Sequence, residues 1–187
     1  MSSSSISGII LAGGESKRMN HDDKGLILYQ QQPLIAHVVS AIKPQVDDIV
    51  ISANRNIEQY QQFSATVIPD NTGMHGPLSG IAAALPACSH ELVLVAPCDM
   101  PFLPSNLVAT LAARLDDKDI AIAEIEHRLQ LVFLMRKSLL PSVQQALSSG
   151  HYQLMRWAQS QPISIIDFST AATNFRNINS IQDLQSG

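Results

Sequence analysis

The segment Ile6-Ser7-Gly8-Ile9-Ile10-Leu11-Ala12-Gly13-Gly14 gives the clearest indication of the fold. Its apolar part, Ile6 to Leu11, predicts a buried first strand. The adjacent Gly13 and Gly14 predict a sharp turn that brings backbone N–H groups close to a ligand, because no Cβ atom intervenes. Such donors suit an anion, and the cations of Arg18 and Lys24 suit a polyphosphate better than a single carboxylate. The alternative is an ordinary strand-to-helix turn followed by solvated charges.

Two familiar phosphate-binding motifs do not occur in the sequence. The dinucleotide fingerprint needs Gly-x-Gly-x-x-Gly, and the segment Gly13-Gly14-Glu15-Ser16-Lys17-Arg18 does not have that order. A P-loop needs Gly-x4-Gly-Lys followed by Ser or Thr, and the chain has no such run. The loop after the first strand therefore belongs to neither of these two classes.

The composition indicates a globular, core-forming chain. Of its 187 residues, 45% are hydrophobic and 15% are charged, so we expect one domain over residues 6–187. The serine-rich residues 1–5 predict a disordered start and lack the features of a signal peptide. The net charge of −4 argues against nucleic acid or an anionic membrane as the main partner. With Cys88 and Cys98 as the only cysteines, we expect a reducing, cytoplasmic location.

Apolar runs rich in β-branched residues alternate with helical patterns along the chain. This alternation predicts an α/β fold with a mostly parallel sheet that helices cover on both faces. The predicted strands are residues 6–11, 48–52, 66–68, 92–96, 120–123 and 129–135. The predicted helices are residues 33–42, 78–85, 104–115 and 138–148. Two of these helices start at a proline, Pro33 and Pro104, which a first helical turn tolerates.

Polar residues follow several predicted strands, at the edge where such sheets bind ligands. Asn54 follows the second strand, Asp70 the third and Asp99 the fourth. Because Mg²⁺ takes one or two carboxylates together with phosphates and water, Asp99 is the candidate metal ligand. A helix N-cap is the alternative, but Asp99 lies too early for the helix predicted from Pro104. Asp70 binds a base, a ribose or a metal, or it only forms an Asx turn with Asn71-Thr72-Gly73.

Five short motifs follow one another along the chain. They are Leu11-Ala12-Gly13-Gly14, Arg18-Met19, Lys24-Gly25, Gly76-Pro77-Leu78-Ser79-Gly80 and Pro97-Cys98-Asp99-Met100-Pro101. Together they resemble the molybdenum cofactor guanylyltransferases, and the tail Phe175-Arg176-Asn177-Ile178-Asn179-Ser180 resembles that family's closing Asn-x-Asn segment. The resemblance extends from Ile6 to Leu184. It implies a nucleotidyltransferase with a Rossmann-like three-layer fold that transfers GMP from GTP to molybdenum-molybdopterin, with Mg²⁺ as cofactor, and releases pyrophosphate.

The resemblance also implies roles for individual residues. Catalysis would belong to Arg18, Lys24 and Asp99, with Asp99 as the Mg²⁺ ligand. GTP would be bound by Leu11, Ala12, Gly13, Gly14, Lys24, Ser52, Asn54, Asp70, Pro77, Leu78 and Asp99. The pterin would be bound by Arg18, His21, Gln130, Asn177 and Asn179. The chain departs from the family pattern at Ser52, where the family usually has Asn, and at Asn20-His21, where a glycine is common.

Other functions compete with this interpretation. A cytidylyltransferase that makes the cytosine dinucleotide cofactor is the nearest one, and sugar-phosphate nucleotidyltransferases share the first loop but are typically longer. A non-catalytic carrier of the pterin cofactor belongs to a different class, and Asp99 argues against it, because a carrier has no use for a Mg²⁺ carboxylate. The implied partners are GTP and molybdenum-molybdopterin, with transient contacts to proteins that deliver molybdopterin or mature molybdoenzymes.

Overall fold

A seven-stranded sheet forms the middle layer of the molecule, in the spatial order β5-β4-β1-β6-β8-β7-β9. The computed structural model describes residues 5–12, 23–69 and 76–178. The strands of this sheet are β1 (Ile6–Leu11), β4 (Asp48–Ser52), β5 (Thr66–Ile68), β6 (Leu92–Pro97), β7 (Ile120–Ile125), β8 (Arg128–Arg136) and β9 (Ile163–Asp167). A separate hairpin pairs β2 (Leu28–Tyr29) with β3 (Gln32–Pro33). The helices are α1 (Leu34–Ile42), α2 (Ile57–Tyr60), α3 (Pro77–Ala84), α4 (Leu107–Ala112), α5 (Leu140–Ser148) and α6 (Leu154–Gln159).

The first strand lies between two parallel neighbours, β4 and β6. Ile9 is opposite Val50 on one side and Val95 on the other. Ile9 and Ile10 are completely buried, and each belongs to a different one of the two hydrophobic clusters that flank the sheet. A strand that is apolar on both faces fits only a sheet covered on both sides, which is why the run Ile6–Leu11 predicts the architecture.

Helices cover both faces and complete three layers. Helices α1 and α4 contribute to one cluster through residues such as Ile35 and Leu111. Helices α3, α5 and α6 contribute to the other through residues such as Leu78, Val143 and Trp157. The prediction of an α/β fold with a mostly parallel sheet is confirmed. Within the described ranges, none of the helices has the length and apolar character needed to cross a bilayer.

One strand of the sheet, β8, runs against all the others. It pairs antiparallel with β6 and with β7. The cause is local: only Glu126 and His127 connect β7 to β8, and both have positive φ angles, 48° and 63°. A two-residue turn of this kind joins antiparallel strands, whereas a parallel pair needs a long crossover. The alternation of strands and helices therefore predicts most of the sheet but not the direction of β8.

Several element boundaries differ from the predicted ones. The helix predicted from Pro104 begins only at Leu107, with Asn106 as its N-cap. Pro33 does not begin α1 but precedes it, with an extended backbone that ends the β2–β3 hairpin. The sequence interpretation missed the β2–β3 hairpin, α2, α6 and β9. Strand β9 is an edge strand, and its Ile165 side chain is half exposed. The hydrophobic pattern of this segment is therefore weak. The predicted disordered start lies outside the described residues except for Ser5.

Helix α3 lies unusually close to the ends of β1 and β4. A Cβ atom at Gly80 would come within 2.8 Å of the Ser52 hydroxyl oxygen and 3.1 Å of Leu11 Cδ2. Such contacts are too short for carbon, so the glycine allows the helix to pack directly on the strand ends. The N-terminus of α3 is thereby brought close to the edge at which β1, β4 and β6 end.

We expect Gly80→Ala to lower the free energy of unfolding. Alanine favours a helix interior over glycine by about 1 kcal/mol, but overpacking a tight core typically costs about 1–3 kcal/mol. The penalty should be smaller when it is combined with Ser52→Ala, because the closest atom is then removed. Urea denaturation of the four proteins of this cycle measures the coupling. Equal penalties with and without the Ser52 hydroxyl would contradict the packing argument.

Candidate active site

At the carboxyl edge of the sheet, where the parallel strands end, backbone hydrogen bonds between neighbouring strands continue past the last strand residues. The Ala12 N–H donates a hydrogen bond to the Ser52 carbonyl at 2.8 Å. On the other side, the Cys98 N–H donates to the Leu11 carbonyl at 3.1 Å. The segments that leave β1, β4 and β6 are therefore held at fixed positions relative to each other. This is the edge at which parallel α/β sheets bind ligands.

An ion pair lies at this edge. The Lys24 Nζ atom is 3.4 Å from Asp99 Oδ2, although the two residues are 75 positions apart in the chain. Asp99 follows β6 by two residues, and Lys24 begins the 3-10 turn Lys24–Leu26. The structure thus brings together the two residues whose motifs predict a metal ligand and a phosphate-binding cation.

The Asp99 carboxylate lies in a desolvated position. Its side chain is only 12% exposed, against 27% for that of Lys24. Burial raises the pKa of Asp99 above its ordinary value, while the neighbouring Lys24 charge and its hydrogen bond lower it, without fully compensating. The site therefore holds a carboxylate that one cation stabilises incompletely, and a further positive charge there would lower the free energy of the ionised form.

The C-terminal segment of the described chain is fixed against the same strand end. The Ile178 N–H donates a hydrogen bond to the Asp99 carbonyl at 2.9 Å. Asn174 donates from its side-chain amide to the Phe102 carbonyl at 2.8 Å, and the Arg176 guanidinium lies 5.5 Å from the centre of the Phe102 ring. The backbone of the tail up to Ile178 therefore runs beside Asp99, and the role of the Asn-x-Asn segment in the site stays a prediction.

A second carboxylate, Asp23, supports the turn that carries Lys24. Asp23 is buried, accepts a 2.5 Å hydrogen bond from the Tyr60 hydroxyl, and lies 3.4 Å from the Asn56 side-chain amide. The sequence interpretation missed all three residues. The available signal was an acidic residue directly before Lys24, the predicted phosphate-binding lysine, because a carboxylate in that place needs a partner when it is buried.

The other described site residues occupy different positions around this edge. Ser52 is 2% exposed, with its hydroxyl beneath Gly80. Leu78 is buried in the core, and Asn54 is exposed just after β4. The roles of these residues in binding GTP stay predictions, as do those of the remaining described ones, Leu11, Ala12 and Pro77. Gly13, Gly14, Arg18, His21, Asp70 and Asn179 lie outside the described residues.

Two predicted pterin ligands are described. Asn177 is exposed directly before Ile178, whose N–H contacts Asp99. Gln130 lies near the start of β8, and because β8 is antiparallel to β6, this start is at the carboxyl edge of the sheet. The Gln130 side-chain amide donates a 2.9 Å hydrogen bond to the Arg128 carbonyl. Both residues therefore lie at the edge that carries Lys24 and Asp99, and their contact with a pterin stays a prediction.

The oxygen ligands at this edge fit a hard divalent cation that takes most of its ligands from phosphates and water. In the described part of the chain, no cluster of three or more His, Cys, Asp and Glu residues could hold a metal alone. Asp99 supplies one partly accessible carboxylate whose charge is not fully compensated. Magnesium is commonly bound by one or two carboxylates together with phosphates and water. The neighbouring Cys98 is buried, and burial raises the pKa of its thiol, so it is unsuited to act as a nucleophile.

The chain is similar to known proteins over nearly its whole length. The family described as MobA-like NTP transferase domain matches residues 8–163. A molybdenum cofactor guanylyltransferase from Pasteurella multocida is 40% identical over 184 residues, which cover 96% of this chain and 97% of that protein. One from Shewanella putrefaciens is 39% identical, covering 96% and 94% respectively.

Two solved structures have a similar fold over nearly the whole chain. Molybdopterin-guanine dinucleotide biosynthesis protein A from Archaeoglobus fulgidus superimposes with a TM-score of 0.77 at 21% identity, covering 96% of this chain and 95% of that one. A 4-diphosphocytidyl-2C-methyl-D-erythritol synthase from Anaerococcus prevotii has a TM-score of 0.73 at 15% identity, covering 97% and 93%. At these identities the likeness concerns the fold alone.

We expect Asp99→Asn to stabilise the metal-free protein at neutral pH, because the neutral amide avoids burying a charge. In a domain of this size, about 1 kcal/mol corresponds to a Tm shift of roughly 2–4 °C. Since the folded-state pKa of Asp99 is raised, its carboxyl favours folding below the ordinary aspartate pKa and loses that advantage as the pH rises through the folded-state value. The gain in Tm should therefore shrink toward pH 4. Thermal unfolding with a chelator, from pH 4 to 8, checks this. A variant less stable than wild type at pH 8 would show that the ion pair outweighs the burial cost.

Proposed function

The chain belongs to the MobA-like NTP transferases and, within them, to the molybdenum cofactor guanylyltransferases, and on this premise we propose that it transfers GMP from GTP to molybdenum-molybdopterin. It is a nucleotidyltransferase. In the reaction, a terminal phosphate oxygen of the pterin attacks the α-phosphorus of GTP. A new O–P bond forms, the bond between the α-phosphorus and the bridging oxygen breaks, and pyrophosphate leaves with the electron pair.

The Lys24–Asp99 pair is the observation that carries this proposal. Attack on a triphosphate brings anionic groups together, so catalysis depends on positioning and charge neutralisation. Lys24 lies at the carboxyl edge, 3.4 Å from Asp99, and provides a cation for the triphosphate. Asp99 would hold Mg²⁺, which when bound supplies positive charge that stabilises the crowded phosphate oxygens. Arg18 and the backbone of Gly13 and Gly14 would complete the phosphate site.

The remaining substrate contacts follow from the same arrangement. Asn177 and Gln130, with Arg18, His21 and Asn179, would bind the pterin. Three contacts hold the segment from Asn174 to Ile178 against Asp99 and Phe102, which follow β6, and this segment would support such binding. Ser52, Asn54, Asp70, Pro77 and Leu78 would contact GTP together with Leu11 and Ala12.

The proposal includes the cellular setting that these substrates imply. Molybdenum-molybdopterin must come from a protein that delivers it, and the dinucleotide product must pass to proteins that mature molybdoenzymes. We place the enzyme in the cytoplasm, where GTP is available. This setting rests on the family to which the chain belongs and on the cysteine content of the sequence.

A label-transfer assay tests the proposed reaction. Purified protein is incubated with Mg²⁺, molybdenum-molybdopterin and α-labelled GTP, CTP or ATP. We expect label from GTP in the pterin dinucleotide and an equal amount of pyrophosphate. Preferential transfer from CTP would support the cytidylyltransferase alternative, and binding of the pterin without transfer from any nucleotide would support the carrier.

We expect Asp99→Asn to reduce kcat by roughly 10²-fold or more, the scale observed when a key electrostatic group of an active site is removed. GTP binding should persist in part, because Lys24 and the remaining contacts are unchanged. Asp119→Asn is the matched control, since Asp119 also faces a cation, Arg136 at 3.8 Å, but precedes β7 at the opposite edge. Label transfer and calorimetric GTP titration measure the two effects. Unchanged turnover in Asp99→Asn would exclude the metal role.

We expect Lys24→Ala to weaken GTP binding by about 10-fold or more, the range of a lost hydrogen bond to a charged group. The loss should concern the phosphates, so guanosine should bind the variant and the wild type alike. Lys43→Ala is the control, because Lys43 is exposed just after α1. Parallel titrations with GTP and guanosine make the measurement. An equal loss for guanosine would contradict a phosphate-binding role for Lys24.

A further inference from the structure

The residue before Lys24 has a buried carboxylate that the proposed reaction does not use. Asp23 is 7% exposed. Its backbone is extended, and its carbonyl accepts the Leu26 N–H at 3.0 Å, so Asp23 begins the turn that carries Lys24. A buried carboxylate is costly unless it is hydrogen-bonded. Its partners therefore determine where this turn can lie.

Both oxygens of Asp23 face the segment that follows β4. Oδ1 accepts the Tyr60 hydroxyl at 2.5 Å, and Oδ2 accepts the Asn56 amide at 3.4 Å. Tyr60 ends α2, has no exposed surface and belongs to the core cluster that contains Ile10 and Cys98. The bond thus connects the Lys24 turn to one of the most deeply buried side chains in the described part of the protein.

The tyrosine can act only as a hydrogen-bond donor to Asp23. Burial raises the pKa of its hydroxyl far above the ordinary value, and the Cys98 and Asp23 groups raise it further. The phenol therefore keeps its proton at neutral pH. A hydroxyl that donates to a carboxylate makes one of the stronger hydrogen bonds found in proteins.

Gly25 leaves the space in which this bond forms. A Cβ atom at position 25 would lie 2.5 Å from the Tyr60 hydroxyl oxygen and 3.1 Å from its Cε1 atom. Both distances are shorter than ordinary carbon contacts, so any side chain there would displace the phenol. The Lys24-Gly25 pair thus has two separate functions: the lysine provides the charge, and the glycine lets Tyr60 reach Asp23.

We propose that Tyr60 is a positioning residue for nucleotide binding: by holding Asp23 through its hydroxyl, it fixes the turn that places Lys24 against Asp99. Tyr60 lies in the core and acts on the substrate only through Asp23 and Lys24. The claim rests on the proposed function in that Lys24 binds the triphosphate. It predicts that removing one hydroxyl oxygen, without changing a ring or a charge, moves Lys24.

The opposite edge of the sheet provides a matched control. There the fully buried Ser7 donates from its hydroxyl to the Asp48 carboxylate at 2.6 Å. The Ser7 oxygen also accepts the His90 N–H at 3.1 Å. Ser7→Ala therefore removes the same kind of bond, a buried hydroxyl to a carboxylate, far from the Lys24 turn. Any effect of Tyr60→Phe that comes only from lost stability should appear in Ser7→Ala as well.

The first test observes Lys24 without substrates. The chain has five lysines, so reductive ¹³C-methylation gives few resonances, and Lys24→Arg identifies the one of interest. In Tyr60→Phe we expect the Lys24 resonance to move toward that of the exposed Lys43, while in Ser7→Ala it stays at the wild-type position. A Lys24 resonance unchanged in Tyr60→Phe overturns the proposal. Because this test needs no reaction, its result is independent of whether the protein transfers GMP.

The second test measures kinetics with whichever nucleotide the wild type uses. Tyr60→Phe should raise KM for the nucleotide at least fivefold and change kcat less, because ground-state binding of the triphosphate is affected. Ser7→Ala should change KM less than twofold at the same temperature. In an Asp23→Ala background, Tyr60→Phe should have no further effect, since the phenol then has no carboxylate to hold. An unchanged KM, or effects of the two substitutions that multiply, overturns the proposal.

If Tyr60→Phe does not fold, Gly25→Ala gives the same test from the other side of the bond. Its methyl group displaces the Tyr60 hydroxyl and removes no polar group from the protein. We expect the same movement of the Lys24 resonance and the same rise in KM. The added methyl group prevents the Tyr60 hydroxyl from occupying its present position. Retention of the wild-type resonance and KM in Gly25→Ala would therefore overturn the proposal.

Discussion

The ion pair between Lys24 and Asp99 is the interaction on which the site depends. It joins the segment after β1 to the segment after β6, which are neighbours because β1 pairs directly with both β4 and β6. The hydrogen bonds that continue past the strand ends fix the spacing of these segments. The pair therefore results from the topology of the sheet, and a change in strand order would separate its members.

The surroundings of the pair favour function over stability. Burial raises the pKa of Asp99, and Lys24 compensates only in part, so the carboxylate is less stable here than in water. Hydrogen bonds hold both members of the pair in place: the Ile178 N–H donates to the Asp99 carbonyl, and the Tyr60 hydroxyl donates to Asp23, the residue before Lys24. An incompletely neutralised acid that is held by such contacts is the arrangement expected where a metal ion supplies the missing positive charge.

The features of this arrangement that depend on the local hydrophobic pattern could be predicted from the sequence. The buried run Ile6–Leu11 predicts a central strand, and Asp99 is recognisable because it follows the most apolar strand. The direction of β8 depends on a two-residue turn that hydrophobic periodicity does not register. The hydrogen bond from Tyr60 to Asp23 joins residues 37 positions apart. The sequence around either residue gives no indication of the other. The same holds for Gly25: only the contact with Tyr60 shows why this position must lack a side chain.

We propose that Lys24 and Asp99 together receive the triphosphate of the nucleotide. A crystal structure of the protein with GTP and Mg²⁺ would show whether they do. We expect phosphate oxygens within hydrogen-bond distance of Lys24 Nζ and a metal ion that is ligated by an Asp99 carboxylate oxygen and by the phosphates. A triphosphate bound elsewhere, or an Asp99 carboxylate that contacts neither metal nor nucleotide, would contradict the account.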